Sequence, residues 1–261
     1  MIPPVLGRRS PAAGALARLR DTGEPASAAY RADGGDGAWC ALRAASVAGV
    51  RHRLAGQSAD DSYCWSFGEG ALVVAVADGL GSVPGSARAA ADAAAAAVTA
   101  AAAAAVAAPE QALDDAVGAA NEAARGGGAT TVAVAVVHPD GRVWLARVGD
   151  STALVLSAEA GWVESFDPPS GDDVVGAPTA ALPSPDPEPE HAAVTLGPAQ
   201  VLVLATDGIA DPLRDGPATV APALAGGLLR PPSPLELAAL ADFSRQGCHD
   251  DRTVVAVWLE R

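Results

Sequence analysis

The order of periodic segments predicts an α+β fold, two antiparallel sheets with helices outside them in a four-layer α-β-β-α sandwich. Three observations carry that prediction. Strand-like runs bracket a pair of consecutive helices instead of alternating with them. The strands between 130 and 157 follow one another across turns too short for a crossover, and a late helix leads into a β-branched closing run.

Taken in order, residues 1–37 lack periodicity and are punctuated by Pro3, Pro4, Pro11, Pro25 and Gly34-Gly35, which predicts an N-terminal extension ahead of one domain over 38–261. Trp39 to Val47 reads as the opening strand. Asp61 to Phe67 and Ala71 to Ala77 read as a hairpin around Gly68 and Gly70. Ser86 to Ala107 is helical on propensity alone, and Pro109 suits the first position of a second helix running to Arg125, where Gly126-Gly127-Gly128 stops it. Thr130 to Val137, Val143 to Val148 and Ala153 to Ser157 form a meander, its first turn at Pro139-Asp140-Gly141. Ser165 to Glu190, rich in Pro, Asp and Ser, predicts a long surface loop. Val201 to Ala205 is a strand, Leu235 to Arg245 a helix after Pro234, and Thr253 to Leu259 the closing strand.

Composition narrows the function. Half of the 261 residues are apolar, but aromatics make only 4%, so the core is expected to be aliphatic and finely packed. Seventeen basic against thirty-one acidic residues give a formal charge of −14, which disfavours nucleic acid as a partner. Cys40, Cys64 and Cys248 fit neither a disulfide framework nor a zinc spacing, so a reducing, cytoplasmic setting is expected. Residues 1–36 hold no continuous apolar core of a signal peptide. The alanine-rich run from Ala87 to Ala108 carries Arg88 and Asp92, so it reads as a soluble helix and no membrane partner is expected.

The chemistry is expected where aspartates fall. Asp60-Asp61 precedes a strand, and Asp78, Asp150, Asp207 and Asp251 each sit at a strand edge beside an apolar run. A carboxylate beside a buried strand costs desolvation energy, and a hard divalent cation seeking about six oxygens compensates it. Asp78-Gly79, Gly149-Asp150 and Asp207-Gly208 pair such residues with glycine, which lets the backbone turn and bring a carbonyl such as that of Gly79 near an ion. Any one Asp-Gly pair is an ordinary turn; the recurrence is what points to a site.

The ordered motifs GQSADDS (Gly56 to Ser62), VAVADGLG (Val74 to Gly81), ATTV (Ala129 to Val132), RVGDSTA (Arg147 to Ala153), LVLATDGIAD (Leu202 to Asp211) and DDRTVV (Asp250 to Val255) resemble the type 2C, or PPM, metal-dependent protein phosphatases. The resemblance spans Val47 to Leu259, includes bacterial-type members, and implies hydrolysis of phosphoserine and phosphothreonine in phosphorylated proteins by a water activated between two Mg²⁺ or Mn²⁺ ions. It implies that Asp78 bridges two ions, that the Gly79 carbonyl, Asp207 and Asp251 complete the first shell, and that Asp150 joins Asp207 at a third ion. Asp60 and Asp61 match an early acidic pair that binds metal directly or through water. Two departures matter. Gly56 stands where the family often has a phosphate-binding Arg, leaving Arg51 and Arg53 as candidates, and Leu80 replaces a His proposed as general acid in eukaryotic members. Arg252 is read at a position usually held by Asn.

The histidines His52, His138, His191 and His249 match no metal box and read as surface residues; Ser151 reads as structural. The competing class is an inactive pseudophosphatase that keeps the fold as a regulatory binding module, and a hydrolase of small phosphate esters is a further alternative. The chain is expected to act as a monomer.

Overall fold

The computed structural model describes residues 29–68, 70–166, 179–214 and 220–260. In chain order the strands are β1 (Tyr30–Asp36), β2 (Cys40–Val47), β3 (Ser62–Phe67), β4 (Leu72–Ala77), β5 (Val132–Val137), β6 (Arg142–Val148), β7 (Thr152–Ser157), β8 (Gly161–Glu164), β9 (Glu190–Thr195), β10 (Val201–Ala205) and β11 (Arg252–Leu259). The helices are α1 (Val50–Ala55), α2 (Ser86–Ala102), α3 (Pro109–Ala124), α4 (Asp207–Arg214), α5 (Val220–Leu228) and α6 (Pro234–Ala241). One sheet runs β1-β2-β11-β10-β7-β8 and the other β3-β4-β5-β6-β9, and every pairing is antiparallel. The expected α-β-β-α sandwich is therefore observed.

Period-two alternation places each side chain. On β4, Leu72, Val74 and Val76 join Leu202, Leu204, Val255 and Val257 in the core between the sheets, while Val73, Ala75 and Ala77 face α2 and α3. On the other sheet Val203, Ala205, Val254 and Ala256 face α5 and α6. Both faces of these strands are covered, which is why they read as unbroken apolar runs. Ala89, Ala93, Ala97 and Ala101 line one stripe of α2, buried to 2% exposure or less, and their small size lets α2 and α3 pack closely. Pro109 opens α3, and a capping box between Ser233 and Glu236 opens α6.

Several elements differ from expectation. α2 ends at Ala102, five residues early, because Pro109 restricts the approach and the chain turns through 103–107. α6 ends at Ala241, ahead of the buried Asp242 and Phe243. Of the expected extension, residues 1–28 lie outside the described residues, and 30–36 form edge strand β1. Gly34-Gly35 reads as part of the non-periodic extension, yet Gly34 is needed for close pairing: a Cβ there would overlap the Leu42 carbonyl. Of the long loop, 167–178 lie outside the described residues. Among those described, no helix is long and apolar enough to cross a membrane.

Candidate metal and phosphate site

Strand register brings the acids together. Ser62 pairs with Ala77, so Asp61 and Asp78, one step beyond each, stand opposite one another at one end of the five-stranded sheet. Ala205 pairs with Thr152, so Asp150 and Asp207, two steps beyond, stand opposite at the same end of the six-stranded sheet. The two pairs then meet: the charges of Asp61 and Asp207 both bear on Asp78. Thr206 bridges the sheets by donating from Oγ1 to Asp61 Oδ2 at 2.8 Å.

The electrostatics of this junction are severe. Burial, followed by the charges of Asp61 and Asp207, pushes Asp78 up to about 11. Burial, followed by the charge of Asp251, raises Asp61 to about 8; the hydrogen bond from Thr206 opposes that rise. Burial, then Asp250 and Asp150, raises Asp207 to about 7. Burial and the facing carboxylates therefore favour the protonated form of Asp78 in the metal-free protein. Two buried oxygens, Asp207 Oδ1 and Asp150 Oδ1, have no hydrogen-bond partner. Among the described residues no three or more His, Cys, Asp or Glu side chains form a ready-made metal cage. Oxygen-only donors, orphaned lone pairs and uncompensated negative charge nonetheless fit hard divalent cations.

The remaining candidates fall out differently. Gly79 follows Asp78, and its backbone is pressed between Asp60 and Ser86, where a Cβ would stand 2.7 Å from either carbonyl oxygen. Thr131 donates its amide to the Asp78 carbonyl at 2.8 Å and accepts the Asp78 amide on Oγ1 at 3.2 Å, which holds the turn. Ser151, fully buried, bonds Thr131 at 2.7 Å, a structural role as expected. Asp150 accepts a hydrogen bond from Thr179 Oγ1 at 3.1 Å. Asp60 is half-buried, and its pKa is raised by burial.

Asp251 is nearby but occupied. Its Oδ1 accepts from the Gly49 amide at 2.5 Å, its Oδ2 from the Asp60 amide at 2.6 Å, and both oxygens lie 2.9 Å from His52 Nδ1. Burial opposes charge on His52, but the bond to Asp251 and the charges of Asp251, Asp60 and Asp250 outweigh it and raise its pKa. Sequence reasoning passed over Asp250, which lines a cleft with Asp207 and whose charge acts on Asp78, Asp207 and Asp60. Adjacent residues on extended chain face opposite ways, so Asp250 and Asp251 cannot serve one ion alike; the doublet carried that signal.

The two candidate arginines also separate. Arg53 is tied to Asp242, Nη2 to Oδ1 at 3.0 Å, and donates from Nη1 to the Tyr30 hydroxyl at 2.6 Å. Arg51 is exposed and lines the same cleft as Asp207 and Asp250, a hollow of about 310 Å³ that Gln246 to His249 also line. His52 and His138 are not surface residues: His138 is buried, its Nε2 2.8 Å from the Ala105 carbonyl.

Residues 48–234 match the family model described as Protein phosphatase 2C. Among solved structures, the photosystem II phosphatase PBCP superposes with a TM-score of 0.63 at 17% identity over 85% of this chain and 99% of that one. The Mycobacterium tuberculosis serine/threonine phosphatase PstP/Ppp gives 0.56 at 22% over 85% and 100%. RsbX in complex with magnesium gives 0.60 at 15% over 88% and 100%. The search of curated proteins gave no match.

Proposed function

Because the chain belongs to the protein phosphatase 2C family, we propose that it removes phosphate from phosphoserine and phosphothreonine in proteins, using two or three Mg²⁺ or Mn²⁺ ions. The observation that carries this reading is the meeting of Asp61, Asp78 and Asp207 without a countercharge, beside a cleft walled by Arg51. Asp78, Asp207 and Asp250, with the Gly79 carbonyl, would hold the central ions; Asp150 would serve a further ion with Asp207, and Asp60 and Asp61 would act directly or through water. Asp251 positions that set, since its oxygens fasten the 49 and 60 backbone amides to the start of β11. The ions, when bound, supply Lewis acidity that neutralises phosphoryl charge and activates water.

The chain's own groups do the rest. Arg51 binds the phosphoryl oxygens as a fixed cation and takes the role that Gly56 leaves vacant. Ligation by Asp78 would require its carboxylate form, so cation binding would be accompanied by proton release to solvent. Leu80 offers no acid, so the leaving oxygen takes its proton from water. The three cysteines, all free, support a reducing, cytoplasmic setting.

Phosphate release from p-nitrophenyl phosphate and from a phosphothreonine peptide, followed with and without Mn²⁺, tests the reading against Asp78→Asn and Asp207→Asn. Activity unchanged in both variants discards it. Mn²⁺ binding without turnover on either substrate selects the pseudophosphatase.

A further inference from the structure

The cleft that Arg51 lines is also lined by the segment Gln246 to Asp250, irregular backbone that carries one of the acids. Beneath it lies Arg252, 1% exposed and the largest fully buried side chain among the described residues. Its Nη2 donates to the Cys248 carbonyl at 2.8 Å, and its guanidinium carbon stands 4.4 Å from the centre of the Phe243 ring. Nε and Nη1 have no hydrogen-bond partner. Asp242 is 5% exposed and attracts Arg252, while its carboxylate bonds Arg53 at 3.0 Å and the Tyr30 hydroxyl at 2.8 Å.

A buried cation with two idle donors is a poor stabiliser, since its desolvation outweighs one carbonyl, one ring and the attraction of an Asp242 already paired with Arg53. An apolar side chain of the same length would fill the space more favourably. The geometry points instead to a placement role. Phe243 and Cys248 flank the 244–247 turn, and Arg252 contacts both, so the side chain sets the height of the turn. The next step is backbone on backbone: a Cβ on Gly208 would stand 1.8 Å from the Asp251 carbonyl oxygen and 3.2 Å from Arg252 Cγ. Asp207, whose neighbour Gly208 makes that approach at the start of α4, is thus set against Asp251 and the stem of Arg252.

We infer that Arg252 is a positioning residue: a buried brace that holds the 244–250 segment, and with it Asp250 and Asp207, in one alignment toward the cations and the cleft. The inference rests on the reading of Asp207 and Asp250 as cation ligands, but one of its readouts needs neither metal nor turnover.

The test compares wild type, Arg252→Met and Arg252→Lys. Expected for Arg252→Met is a melting temperature equal to or above that of wild type, amide hydrogen exchange at 244–249 at least tenfold faster, and Mn²⁺ affinity by calorimetry at least tenfold weaker. Arg252→Lys, whose ammonium still reaches the Cys248 carbonyl, recovers part of both. Wild-type exchange and wild-type Mn²⁺ affinity in Arg252→Met overturn the inference. If that variant does not fold, wild-type exchange in Arg252→Lys overturns it. A wild-type protein without phosphatase activity sinks the functional reading while the exchange comparison still decides this one.

Discussion

Replacing Asp78 by Asn should stabilise the metal-free protein while abolishing its response to metal. In the folded, metal-free chain Asp78 titrates near 11 against an ordinary 3.8, so at pH 7 it must carry a proton that the unfolded chain has lost. That proton costs roughly three pH units at about 1.4 kcal/mol each, or about 4 kcal/mol as an upper bound. Asparagine has the same shape, needs no proton, and its amide can donate toward Asp61 and Asp207. A gain of about 2–4 kcal/mol, or about 5–15 °C in melting temperature for a domain of this size, should appear in EDTA. The sign with pH follows. The folded state binds more protons than the unfolded one between 3.8 and the raised value, so wild-type stability in EDTA should fall as pH rises from about 5 to 8, and the variant should be flatter. Mn²⁺ should raise the melting temperature of wild type and barely move Asp78→Asn. A variant no more stable than wild type in EDTA, or equal Mn²⁺ stabilisation of both, refutes the electrostatic argument.

Arg51→Ala should raise KM for p-nitrophenyl phosphate about tenfold with kcat little changed, as expected for loss of about 1.4 kcal/mol of binding felt equally before and during reaction. Arg53→Ala should instead cost about 3 kcal/mol of stability by stripping the buried Asp242 of its ion pair, read by urea denaturation. Asp250→Asn should weaken Mn²⁺ binding in calorimetry at least tenfold, whereas Asp251→Ala should lower stability by roughly 2–3 kcal/mol by orphaning the Gly49 and Asp60 amides. The reverse assignment of these two effects would exchange their roles. Gly208→Ala forces its methyl into the Asp251 carbonyl, so it should lose more than about 3 kcal/mol in thermal melts or lose Mn²⁺ binding outright.

The frame of the fold was legible because every central strand is covered on both faces and therefore reads as an uninterrupted apolar run. The acids were legible for the complementary reason: Asp78, Asp150 and Asp207 end such runs, where a charge is conspicuous. Edge strands were harder. β1 and β9 bury little, so Tyr30–Asp36 and Glu190–Thr195 carry only a weak apolar pattern, and side-chain ties such as Tyr30 to Asp242 and Glu190 to Arg147 support their backbone pairing. α4 hid behind Asp207-Gly208, which reads as a turn, and behind Pro212 within eight residues of helix. Which of Asp250 and Asp251 faces the site depends on strand register, and which of Arg51 and Arg53 faces the cleft depends on where Asp242 lies. Neither is a local property of the chain. His52 read as a lone surface histidine because its partners are 199 residues away in Asp251 and across α1 in Asp60.

The Asp61–Asp78 pair belongs to one sheet and the Asp150–Asp207 pair to the other, with the Thr206 hydroxyl spanning the seam. Such an arrangement makes the acidic junction a vernier for the sandwich: sliding one sheet past the other by a fraction of a residue spreads the carboxylates apart before it disturbs either hydrogen-bonded ladder. Cations settling there would rivet the two halves at their shared rim, and a mutation deep in the inter-sheet layer would then weaken the rim without touching it.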